Sequence, residues 1–206
     1  MEAEVISLTD SFSPNDYIIN IIRRAVSNNQ NILIDNPNHG RITVLSSAGE
    51  YLTDLESLKS FCQLPASSFK VTVLNNDKVN SFKTSIGRNI DELLWCSGFY
   101  ASEGRLLDDG KWDDVLELCH WPNFTRIPMS FNFLRIASLL SKHPASIERI
   151  IADLKIPRHE AYQFYCAARC AGAIIISNKN SQNEKHFKPH HNNALLSLLF
   201  NKITSI

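Results

Sequence analysis

Between Pro144 and Ser177 the residue order admits one arrangement, and it constrains what the rest of the chain can fold around. Ile147, Ile150, Ile151 and Leu154 recur at steps of three, one and three, which places them on one face of a short helix with Ser146 as its N-cap. Pro157 stands where a second helix begins, because its missing N–H is not needed in a first turn and its fixed φ suits that position. Lys155 and Ile156 are then the turn. Ala161, Phe164, Tyr165, Ala168 and Ala171 make the next buried stripe, and Gly172 is placed to close the helix in a left-handed conformation. Ala173, Ile174, Ile175 and Ile176 then form a run of β-formers too short for a helix. Upstream, Phe133, Ile136, Ala137 and Leu140 mark a helix over about 130–142, which ends at His143-Pro144 because the residue before a proline avoids the helical region.

A helix, then two helices joined by a tight turn, then a strand make a helix-turn-helix with the start of a wing. In LKIPRHEAYQFYCAARCAGAI, Leu154, Ala161, Phe164, Ala168 and Gly172 fall at core and capping positions. Over about residues 129–178, roughly a quarter of the chain, the sequence resembles winged helix-turn-helix domains of the kind found in bacterial transcription regulators. The outward face of the second helix of the pair carries Arg158, His159, Tyr162, Gln163, Cys166 and Arg169. Arg158, Gln163 and Arg169 suit base edges or phosphates, which favours double-stranded DNA. Glu160 in the first turn, the apolar Tyr162 and Cys166, and a wing over 178–185 with two lysines, one glutamate and no arginine favour a partner protein.

A chain of 206 residues with 44% apolar side chains builds one large domain or two small ones without staples. Its five scattered cysteines do not read as a secreted disulfide framework, so a reducing cytoplasm is expected. The amino terminus has acidic residues where a signal peptide needs basic ones, and no apolar run reaches the length of a membrane span, so no membrane role is expected. Net charge is zero but uneven: residues 1–129 hold 11 Lys and Arg against 17 Asp and Glu, while residues 130–206 hold 10 against 4. The halves therefore either dock on each other or divide into an acidic sensor or partner domain and a basic nucleic-acid-binding one.

The first half alternates helix, strand and turn signals. A strand is expected over Glu4 to Leu8, and a helix after Ser13-Pro14-Asn15-Asp16. A hairpin is expected around Asn36-Pro37-Asn38-His39-Gly40. Thr53-Asp54-Leu55-Glu56 reads as a capping box, Phe69 to Leu74 as a strand and Asn89 to Ser102 as a helix stopped by Gly104. Leu106 to Asp114 reads as a polar turn and Val115 to Cys119 as a strand. The expected class is α+β: a small mixed α/β sheet domain over residues 1–126, then a winged-helix domain with a C-terminal helix over 127–206.

Trp95, Tyr100, Trp112, Trp121 and Phe124 fall within 30 residues at the junction. With Arg105 and Arg126 they mark a ligand or partner seam, centred on Trp95, Arg105, Trp121 and Arg126, or they fill the space between the halves. No catalytic residue, metal ligand set or cofactor is assigned. There is no Gly-rich phosphate loop after a strand, no Gly-x-Ser-x-Gly elbow and no His-Glu-x-x-His helix. Cys166 and Cys170 with His190 and His191 lack the close spacings of structural zinc sites. Residues 193–204, rich in leucine, read as a helix that must be covered, by its own domain or by a homodimer partner. The expected function is a non-enzymatic cytoplasmic regulator or adaptor using its winged helix for protein contact. The alternative is a DNA-binding regulator with an N-terminal sensor.

Overall fold

The computed structural model describes residues 11–75, 78–79 and 86–179, and over these the chain is an α+β protein. Its first layer is a five-stranded sheet of β2 (Ile32–Asn36), β3 (Gly40–Leu45), β4 (Glu50–Thr53), β5 (Lys70–Val73) and β6 (Arg88–Asn89), in the order β5-β2-β3-β4-β6. Every pair is antiparallel. Asn36 makes the first hairpin: its Oδ1 accepts from the Asn38 and His39 amides at 3.0 and 3.2 Å, and Gly40 takes φ +94°. Period-two alternation puts Ile32, Ile34, Ile42, Val44 and Tyr51 on one face, where they join one core with the apolar sides of α1 (Ile18–Ser27) and α3 (Ile90–Ser102).

The capping box at Thr53 does not open a helix. Thr53 ends β4, with its hydroxyl donating to the Arg41 carbonyl at 3.0 Å and accepting from the Leu55 amide at 3.1 Å. The helix α2 (Leu58–Gln63) starts five residues later, capped by Ser57. Residues 106–114 are likewise more than a polar turn, since they contain the buried strand β7 (Leu106–Leu107), parallel to β1 (Ser11–Phe12). The strand at 4–8 and the helix at 193–204 lie outside the described residues.

The second half follows its periodicity closely. It contains α4 (Phe131–Leu140), α5 (Ile147–Leu154) and α6 (Arg158–Cys170). Ser146 caps α5 by accepting from the Arg149 amide at 3.2 Å. Lys155 makes the turn in a left-handed conformation, and Gly172 at φ +69° reverses the chain into β10 (Ile174–Ile176). The domain boundary is expected at residue 126. The strand β8 (Val115–Leu118), which precedes it, is the central strand between β9 (Ala145–Ser146) and β10.

A single core runs through both halves, and its axis is the crossing of α3 with α6. Gly98 permits that crossing: a Cβ there would stand 2.6 Å from the Cys166 carbonyl oxygen and 2.9 Å from Cys170 Sγ. Among the described residues no helix is long and apolar enough to cross a membrane.

Candidate interaction site

The face of α6 expected to meet a partner is packed against the first half. Arg169 is held by both oxygens of Asp109, at 2.7 and 2.6 Å, and its side chain is 12% exposed. It also donates to the Tyr165 hydroxyl at 2.7 Å, which donates in turn to Asp114 at 2.9 Å. Asp114, buried, takes further hydrogen bonds from Lys179 Nζ and the Lys111 amide, both at 3.0 Å. Acidic residues of the first half thus meet basic residues of the second across the seam, which is the docking sense of the charge asymmetry. Burial would raise the Asp109 carboxyl, but the hydrogen bonds and charge of Arg169 outweigh it and hold the group below the usual carboxylate range.

The remaining face residues are engaged too. The Arg158 guanidinium lies 4.3 Å from the centre of the Trp112 ring, and Tyr162 packs edge-on to the same ring and is buried. His159 lies under Gly104, where a Cβ would come within 2.8 Å of the histidine Cβ. Cys166 is fully buried, and Gln163 is half-buried. Glu160 accepts from Ser130 Oγ at 2.5 Å and from Asn132 at 3.2 Å, tying the start of α4 to the first turn of α6. Along this face Tyr162 and Cys166 are buried and Gln163 and Arg169 partly buried, while Arg158 and His159 at its start are exposed.

The aromatic seam divides differently from the sequence grouping. Trp95 is core, edge-on to Phe124, Phe133 and Phe164, with its indole N–H donating to the Pro128 carbonyl at 3.0 Å. Its edge nonetheless borders a pocket of about 340 Å³ that Asn89, Glu92, His120, Trp121 and Arg126 also line. Arg105 is not part of it. It sits at the other end of α3, donating to the Ala101 and Ser102 carbonyls at 3.0 and 3.1 Å, and its guanidinium lies over the Phe12 ring. A cation there complements the helix C-terminus.

The pocket's polar wall is built by α3. Asn89 caps the helix by accepting from the Asp91 amide at 2.7 Å. Glu92, nearly buried, is held by Arg88 at 2.9 Å, while Arg126 stands 3.8 Å from its other oxygen and keeps most of its surface in solvent. Gly87-Arg88-Asn89 at a helix start reads in the sequence only as a weak phosphate signal, and Glu92 was missed, although its i, i+4 spacing from Arg88 was a usable signal. Among the described residues no group of three or more His, Cys, Asp or Glu side chains is placed to hold a metal ion.

A scan against protein-family models, a search of curated proteins and a search of solved structures each found no match. Geometry alone carries the functional reading.

Proposed function

We propose that the chain is a non-enzymatic cytoplasmic regulator or adaptor that works by protein contact, and that residues 129–178 are a winged-helix unit serving as its scaffold. One observation carries this reading: the part of the outward face of α6 that holds Tyr162 and Arg169 is packed against Trp112 and Asp109 of the first half, so these two side chains have no access to a DNA groove, and only Arg158 and His159 stay exposed. The surface left for a partner lies on the junction. Trp121 is 51% exposed at the seam pocket, and Met129 and Phe131 are exposed just before and within the first turn of α4. Exposed aromatic side chains beside a preformed pocket are the composition of binding hot spots. Five free cysteines suit the cytoplasmic assignment.

Titration of the chain against random duplex DNA at low and moderate salt tests the reading. The adaptor assignment predicts no saturable binding at either salt, for the native chain and for Arg158→Ala and Arg169→Ala alike. Binding that weakens steeply with salt and is lost in Arg158→Ala would instead establish the DNA-binding alternative.

A further inference from the structure

The apolar face of the five-stranded sheet extends beyond its helical cover. Val71 and Val73 are 44% and 61% exposed, yet they stand opposite Ile34 and Ile32 and so share the core face with them. Their strand, β5, is the outermost of the sheet, with β2 as its neighbour among the described residues. Ladder parity fixes which backbone groups are left over. The Leu74 amide donates to the Asn31 carbonyl at 2.8 Å, so Leu74, Thr72 and Lys70 turn their N–H and C=O toward β2. Those of Val71 and Val73 point away from the sheet, beside the two exposed side chains.

We propose that β5 pairs with β5 of a second copy of this chain, antiparallel about a two-fold axis at Thr72. In that register Val71 of one protomer faces the partner's Val73. Each such pair exchanges two hydrogen bonds through the outward-pointing groups, while the threonines on the axis form the non-hydrogen-bonded pair, as their own groups are committed to β2. Parity excludes any axis lying between two residues, since it would set an outward-pointing residue against an inward-pointing one. Of the registers that remain, only Thr72 sets both valines against valines. The result is a closed dimer with a continuous ten-stranded sheet and a row of four valines on its core face. Four residues a side bury far less than the roughly 1,200 Å² of a standard interface, so the dimer is weak and concentration-dependent.

Sedimentation of the full-length chain from roughly micromolar to millimolar concentration tests this. The native mass should rise from 23.3 kDa toward twice that value. The double variant Val71→Lys/Val73→Lys should stay at single-chain mass with an unchanged far-UV spectrum and melting temperature, since both sites are exposed. In a Cys119→Ser background, Thr72→Cys should cross-link to the dimer on oxidation, because directly opposite residues of a non-hydrogen-bonded pair lie within disulfide reach. A native chain that stays monomeric throughout overturns the proposal. So does a dimer that survives the double variant, as one made by residues 193–204 would, or a dimer that forms without the Thr72 cross-link. Should the double variant lose its fold, the cross-link decides.

Discussion

Trp95→Ala is expected to lower the free energy of unfolding by about 4 kcal/mol, and Trp121→Ala by less than about 1 kcal/mol. The two indoles lie 26 positions apart and border the same pocket, but they are held differently. Trp95 is 1% exposed, packs edge-on to three phenylalanines and satisfies its N–H on Pro128. Truncation removes the largest fully buried side chain and leaves a cavity bounded by α3, α4 and α6, which cannot close without moving the helix crossing. Trp121 loses only partial burial and one edge contact with Phe124. For a chain of this size the first change corresponds to a melting temperature lowered by roughly 8–16 °C, readable by calorimetry. Equal effects would mean that the seam is a wet pocket in which Trp95 serves ligand binding rather than folding.

Gly98→Ala is expected to destabilise by about 2 kcal/mol even though alanine is the better helix former. The methyl would meet the Cys166 carbonyl oxygen at 2.6 Å and its carbonyl carbon at 3.0 Å. Those atoms belong to the backbone of α6 and cannot swing aside as a flexible side chain would. Overpacking of this kind costs up to about 3 kcal/mol, against a propensity gain of about 1 kcal/mol. A urea or thermal transition measures the balance, and a stabilised Gly98→Ala would show that α3 and α6 do not cross here.

What the sequence made legible was what local periodicity decides. The stripes at Ile147–Leu154 and Ala161–Ala171, the Ser146 cap and the Gly172 reversal all appear where their spacing places them, because each is settled within a few turns of chain. The Thr53 capping box failed because a strand pairing claimed the threonine hydroxyl first, for the Arg41 carbonyl. The fate of the α6 face was unreadable for a related reason. Whether a helical residue is outward depends on what packs on it, and the partner of Arg169 is Asp109, 60 residues away. Arg105 and Arg126 looked equivalent as charges flanking tryptophans, yet one caps the C-terminus of α3 and the other stands at its N-terminus. The uneven charge was legible as a quantity, and only its pairing required the fold.

The account rests on α6 being enclosed between the two halves, and thiol accessibility under native conditions measures that most directly. Cys119 is the exposed cysteine, whereas Cys62, Cys96, Cys166 and Cys170 are buried. Burial also pushes the buried thiols up, Cys96 to about 12, so little thiolate is present at neutral pH. Alkylation followed by peptide mass mapping should therefore label Cys119 alone at first. Cys166 and Cys170 should follow roughly a thousandfold or more slower, at the rate set by opening of the core. Labelling of Cys166 or Cys170 as fast as Cys119 in the folded protein would mean that the α6 face stands open, and would contradict the central claim.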